Sequence, residues 1–494
     1  MQYITTRGGQ SASGAQAIVQ GLGRDGGLFV PESFPQISRN ELADMAREPY
    51  AARAVRILGR FLTDFTEEQL AGMVDSACAR FDEQGVAPLK ALEDGVRVIE
   101  LYHGPTLAFK DVALTLLPHL LTAAAKAAGE MRDVLILVAT SGDTGKAALS
   151  GFADVPGTHC AVFYPQGGVS EAQRLQMVTQ RGGNTHVIAV KGNFDDAQTG
   201  VKRIFSDPWA AAAFGRKGLV LSSANSINWG RLAPQIVYYF SAWCDMFAAG
   251  EIAAGEEINI CVPTGNFGNI LAAYYAKRMG LPVGRLICAS NRNNVLTDFI
   301  RTGRYDARRA FHLTTSPSMD ILISSNLERM LFELCGRSAE AVRGWMDELK
   351  ENGCYEIDAG SKEALGGLMY GAWASEADCA GEIARAWNEE RCLVDPHTAV
   401  ALKALREYRA ETGDRRPCAV AATASPFKFS RAVSAALDLA TDADDFELCR
   451  RLGDLAGCEV PRAIAELPSL PVRHRAECAP GDMLDALMKE MNRP

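Results

Sequence analysis

The sequence predicts an α/β protein with two open, mostly parallel sheets, helices on both sheet faces, and a mainly helical N-terminal unit. Three observations lead there. Short β-rich runs alternate with helical stretches from residue 96 onward. Several of those runs are apolar throughout, as expected of strands covered on both faces. The first ninety or so residues lack the alternation and carry helical periodicity instead. Repeated β–α units of this kind close into parallel sheets, and a stretch this long has room for two.

The elements follow in order. A Gly-rich stretch, GLGRDGGLFVP (Gly21–Pro31), precedes helical patterns over Glu41–Arg47, Tyr50–Leu62 and Glu67–Phe81. Pro88 and Asp94-Gly95 mark a joint, so residues 1–92 read as one unit. VRVIELY (Val96–Tyr102) reads as a strand, and Asp111–Gly129 as one helix. DVLILVAT (Asp133–Thr140) is a buried strand, followed by SGDTG and a helix to about Phe152. CAVFYP, HVIAV, LVLSS, INICVP and RLICAS repeat the pattern, and CAVAAT (Cys418–Thr423) is a late strand. An α/β unit is expected over residues 93–430, with a smaller subdomain near 105–221, and a helical extension over 431–494.

Composition narrows the function. The 494 residues are 48 % apolar and 22 % charged, ordinary for a globular protein. A net charge of −9 supplies no basic footprint for nucleic acid. No apolar run approaches the roughly eighteen residues that span a bilayer. The thirteen cysteines are scattered, form no C-x-x-C, and read as reduced thiols of a cytoplasmic protein.

In doubly wound sheets, ligands gather at the carboxyl ends of strands. Three turns at those ends are unusual. SGDTGK (Ser141–Lys146) resembles a Walker loop but fails its pattern. The required first glycine is Thr140, and the residue after Lys146 is Ala147 rather than a hydroxyl. What remains is Thr140, Ser141 and Thr144 at a helix start, suited either to an anion or to ordinary capping. TGNFGN places Gly265, Asn266, Phe267, Gly268 and Asn269 between a strand and a helix. Its glycines admit a ligand close to the backbone, forming a phosphate cup with no lysine and no metal ligand. In SSANSINWGR, Asn225, Ser226, Asn228 and Arg231 offer amide, hydroxyl and guanidinium donors to a second anion.

HGPTLAFKDVAL (His103–Leu114) adds a lysine, Lys110, among apolar neighbours. Its stem could pack while its head group reaches water. Alternatively, a desolvated amine loses its proton and becomes a nucleophile. A lysine, a metal-free phosphate cup and a second anion site together suit pyridoxal 5′-phosphate, whose aldehyde takes a lysine as a Schiff base.

HGPTLAFKD, ATSGDTG, SANSIN…R and PTGNFG together resemble threonine synthase, a fold-type II pyridoxal-phosphate enzyme with a tryptophan synthase β-like architecture. The opening GLGRDGGLFVP is similar to the N-terminal domain of that family's longer bacterial and fungal branch. The resemblance runs end to end and implies roles for named residues. Lys110 would hold the cofactor, and Gly265–Asn269 its phosphate. Asp143 would lie near its phenolic oxygen, and the Thr423 hydroxyl against its pyridine nitrogen. Ser141, Thr144, Asn225, Ser226 and Arg231 would face the substrate phosphate. The implied reaction converts O-phospho-L-homoserine and water to L-threonine and phosphate, in a monomer or homodimer. A phospho-lyase acting on another amino-alcohol phosphate is the alternative within enzymes. A non-catalytic relative that binds a ligand or partner is the alternative outside them. DPHTAVALKAL (Asp395–Leu405) resembles a late helix of the family, with no chemical role assigned to His397. Trp229-Gly230, just before Arg231, departs from the family pattern.

Overall fold

The computed structural model describes residues 1–82, 85–140 and 142–492. Two parallel sheets organise it. The larger runs Met369–Trp373, Val283–Ser290, Ile258–Pro263, Cys418–Ala422, Val96–Glu100 and Leu89–Ala91, with only the last strand antiparallel. The smaller runs Ala476–Cys478, Thr185–Val190, Thr158–Pro165, Asp133–Ala139 and Leu219–Ser222, parallel throughout. This is the architecture expected from the alternating pattern.

The continuous apolar runs have the predicted cause. In Asp133–Ala139, Val134, Ile136 and Val138 enter one core while Leu135 and Leu137 enter another on the opposite face. In Cys418–Ala422, Ala419 and Ala421 face one core, and Cys418 and Val420 the other. Burial of each large aliphatic side chain contributes about 1.5–3 kcal/mol. A polar residue on either face would therefore be costly, which is why no alternation is seen.

Two expectations need correction. The stretch expected as one helix over Asp111–Gly129 is two, Lys110–Leu114 and Leu117–Ala127. Pro118 has no N–H to return to the Leu114 carbonyl. That carbonyl instead abuts Gly151 of the next helix, where an added Cβ would lie 2.0 Å away. The N-terminal unit is mainly helical, as expected, with Gln2–Thr5, Ser11–Ser13 and Phe29–Pro31 forming a small antiparallel sheet. The segment after residue 431 is not purely helical. Its strand Ala476–Cys478 extends the smaller sheet, and Met483 and Leu487 of the last helix, Met483–Glu490, join the core beneath it.

Candidate active site

The three unusual turns and the lysine segment converge on one cavity of about 270 Å³ between the two sheets. Each lies past the carboxyl end of a parallel strand, or in the loop that follows. Lys110, Asp143, Thr144, Asn225, Ser226, Arg231, Gly265, Asn266, Phe267, Gly268, Asn269 and Thr423 all contribute to its wall. Ser141 lies outside the described residues.

Backbone pairing brings Lys110 and Thr423 together. Phe109 N donates to Thr423 O (2.8 Å), Ser425 N donates to Leu107 O (3.1 Å), and Ala108 bridges Ala424. The lysine segment is thus stitched onto the chain leaving the Cys418–Ala422 strand. Leu107 takes a left-handed conformation, φ 58°, to make the turn. The Lys110 side chain is 13 % exposed, and its Nζ donates to Ser318 Oγ at 3.1 Å. Burial, with Lys428 and Arg231 nearby and Asp143 only partly opposing, lowers this amine to about 8. The head group is thus enclosed with its stem rather than carried out to the surface.

Asp143 begins the helix Asp143–Phe152. Burial alone would push its carboxyl up, but the Lys428 and Lys110 ammonium groups hold it well below the usual carboxylate range. The preceding Gly142 has φ 147°, and an added Cβ would sit 2.4 Å from the Gln173 amide, so glycine is required there. Thr140 Oγ1 accepts from Gly142 N and Gly145 N, both at 3.0 Å, and closes the turn.

The cup follows the Ile258–Pro263 strand. Phe267 adopts φ 63°, a left-handed conformation that costs a bulky residue about 1–3 kcal/mol and is held only by surrounding structure. That structure is the 324–326 segment: Ser324 Oγ donates to Gly265 O (2.7 Å), and Asn326 Nδ2 to Asn266 O (3.0 Å). A Cβ on Gly265 would lie 2.6 Å from Ser318 O. Asn269 Oδ1 accepts from Tyr238 and Tyr239, while its Nδ2 is buried with no partner among the described residues.

Arg231 sits in the first turn of the helix Trp229–Ala248, capped by Asn228. It is 3 % exposed. One nitrogen donates to Ala224 O at 2.6 Å, and Nε has no partner. Burial lowers the guanidinium to about 10, so it stays charged at neutral pH, and among the described residues no carboxylate is bonded to it. An unpaired buried cation of this kind calls for an anion. Trp229 is fully buried. It packs edge-on against Tyr3 and Phe61, and Gly230 avoids Leu117, which an added Cβ would meet at 2.7 Å.

Four further residues complete the site. Ser318 receives the Lys110 amine, and its own N–H donates to His397 Nε2 at 3.2 Å. His397 Nδ1 pairs with Asp395 Oδ2 at 2.5 Å, so Asp395 fixes the tautomer that leaves Nε2 free to accept. Lys428 lies 2.7 Å from Asp143 Oδ1. Asn326 joins the cup to the 225–228 loop through a second contact, to Ser226 O at 3.3 Å. His397 and Lys428 stand within motifs visible in sequence, DPHTAVALKAL and TASPFKF. Ser318 and Asn326 carry no such signal.

Comparison with known proteins gives a consistent result. Residues 2–78 match the family model for the threonine synthase N terminus. Residues 87–351 match that for pyridoxal-phosphate dependent enzymes, and residues 398–473 that for the threonine synthase C-terminal region. The chain is 40 % identical to threonine synthase of Pseudomonas aeruginosa over 438 residues, 88 % of this chain and 90 % of that protein. It is also 40 % identical to human threonine synthase-like 1 over 436 residues, 86 % of this chain but 58 % of that longer protein. The fold superposes on pyridoxal-phosphate-bound threonine synthase from Brucella melitensis with TM-score 0.89 and 35 % identity, covering 100 % of both chains. Yeast threonine synthase gives TM-score 0.89 at 30 % identity, covering 99 % of this chain and 98 % of that one.

Proposed function

The chain belongs to the threonine synthase family of pyridoxal-phosphate dependent enzymes, and on that premise we propose that it converts O-phospho-L-homoserine and water to L-threonine and phosphate. The observation that carries this reading is the buried Lys110 amine, lowered to about 8, in one cavity with two separate sets of anion donors. One set suits a cofactor phosphate and the other a substrate phosphate.

The residues present fit pyridoxal phosphate. Lys110 is a reactive amine, and Asn269 keeps an unpartnered donor. The Gly265 backbone is packed so closely that no side chain is tolerated. When bound, the cofactor supplies an aldehyde for a Schiff base with an amine and a ring that serves as an electron sink. Lys110 would hold it, the backbone N–H groups of Gly265–Asn269 would hold its phosphate, Asp143 would lie near the phenolic oxygen, and Thr423 near the pyridine nitrogen. A neutral hydroxyl at that nitrogen cannot support a full positive charge as a carboxylate would.

The chain's own groups then divide the work. Arg231, Thr144, Asn225 and Ser226, with Ser141, bind the substrate phosphate and align its Cγ–O bond. The Lys110 amine, once free, takes protons from the substrate Cα and Cβ as base and, as acid, returns protons to Cγ, which becomes the methyl carbon, and to Cα. Ser318 Oγ holds that amine in place. The phosphate leaves from Cγ, and water adds at Cβ. We assign the reaction to the cytoplasm, on thirteen cysteines that are all unpaired, and to a monomer or homodimer.

The purified protein is expected to show a visible absorption band that hydroxylamine removes and borohydride fixes onto Lys110. A colourless protein that takes up no pyridoxal phosphate contradicts the reading.

A further inference from the structure

A lysine attacks an aldehyde only as the uncharged amine, and a carboxylate close by opposes this by favouring the ammonium. Asp143 is such a carboxylate. It is 5 % exposed, and Oδ2 lies 3.9 Å from Lys110 Nζ. Its hydrogen bonds go elsewhere. Oδ1 is 2.7 Å from Lys428 Nζ, and the Gln173 amide donates to the same oxygen at 3.3 Å. Lys110 donates instead to a neutral hydroxyl, that of Ser318.

Lys428 is built into this arrangement. Its side chain is 3 % exposed, and its ammonium makes a second hydrogen bond, to Thr106 O at 2.8 Å. Thr106 belongs to the segment that carries Lys110. Lys428 itself follows Thr423 in the TASPFKF turn, which is stitched to that segment. The second lysine is thus anchored between the two groups it would influence.

We propose that Lys428 is a positioning residue of this site: it engages the Asp143 carboxylate as its own ion-pair partner and so leaves the Lys110 amine free to react. The proposal rests on the reading of Lys110 as the reactive amine. Other charged groups face Lys110 as well. Arg231 approaches from the Trp229–Ala248 helix, and Asp111 lies on Lys110's own helix, its carboxylate taken up by Thr106 N and Oγ1. His397 faces Asp143 from the Pro396–Thr412 helix. Asp320, also in the cavity wall, accepts from Asn291, Asn293 and Thr314. None of these carboxylates pairs with Lys110 within 4 Å as Asp143 does, and Lys428 is the nearer of the two cations on Asp143.

The test is the pH dependence of Lys110 acetylation in the full chain after hydroxylamine removes the cofactor, read peptide by peptide in a mass spectrometer. The wild type is expected to titrate near 8. K428M is expected to move the midpoint upward by about one to three units, because Asp143 then serves Lys110 alone. K428R keeps the charge and is expected to stay with the wild type. D143N/K428M removes the pair together and is expected to show no upward shift. K428Q keeps donors to Thr106 and Asp143 without the charge, and replaces K428M if that variant does not fold. An unmoved midpoint in K428M or K428Q overturns the proposal. So does a K428R shift as large as that of K428M, or an upward shift in the double variant. Fixation of the cofactor on a different lysine would defeat the proposed function while leaving this titration readable.

Discussion

Replacing Lys110 with alanine is expected to abolish the visible band and nearly all turnover, with no recovery unless an external amine is added. Retained turnover without amine would remove Lys110 from the chemistry. The pH behaviour of the wild type is signed by the same residue. Burial lowers the amine to about 8, so its reactive fraction rises with pH and is half complete there rather than in the usual lysine range. Pyridoxal phosphate uptake by the stripped chain is expected to accelerate through that pH and then level off, as followed by absorbance. At Arg231 the expected effect lies in the substrate. Arg231→Lys keeps a charge but loses the planar fork. A lost charge-assisted hydrogen bond costs about 1.5–3 kcal/mol, roughly tenfold to a hundredfold in kcat/KM. Cofactor absorbance is expected to survive, and inorganic phosphate to compete less well than in the wild type. Unchanged kcat/KM and unchanged phosphate inhibition would place the substrate phosphate elsewhere.

The helix Trp229–Ala248 shows what one element does for the site. Its first residue, Trp229, is fully buried among Tyr3, Phe61 and Tyr275. Its third, Arg231, reaches the cavity. Trp229→Ala is expected to cost about 3–5 kcal/mol in urea unfolding, as a large buried aromatic does. Strands and post-strand turns were legible because burial on both faces leaves a continuous apolar run, and because ligand turns need glycine and small polar residues. The break at Pro118 was missed because a proline in the first turn of a helix looks the same as one inside a longer helix until Leu114 O is seen against Gly151. Ala476–Cys478 was missed because a three-residue edge strand has too few positions to show a period. Ser318 and Asn326 act through hydrogen bonds to distant segments, at Lys110 and Asn266, and no local spacing encodes such a pairing. His397 and Lys428 were in view, but their partners Ser318 and Asp143 come from other parts of the chain.

Over the whole molecule, the N-terminal unit and the two proposed anion sites share one tie. Arg329 is fully buried, and it donates to Phe29 O at 2.9 Å, to Asn326 Oδ1 at 2.5 Å and to Ile227 O at 2.7 Å. The Gly-rich opening stretch thereby braces the loop at 225–228 and, through Asn326, the cup. The two proposed anion sites are nonetheless expected to be separable by substitution. A bulky residue at Gly268 is expected to weaken cofactor retention in dialysis more than it alters selectivity among phosphorylated amino acids. The reverse result would mean that the cup and the Thr144–Arg231 site have exchanged roles. The most direct measurement is product stoichiometry with O-phospho-L-homoserine: L-threonine and phosphate are expected to appear in equal amounts, whereas phosphate without threonine, or no phosphate at all, would contradict the proposed function.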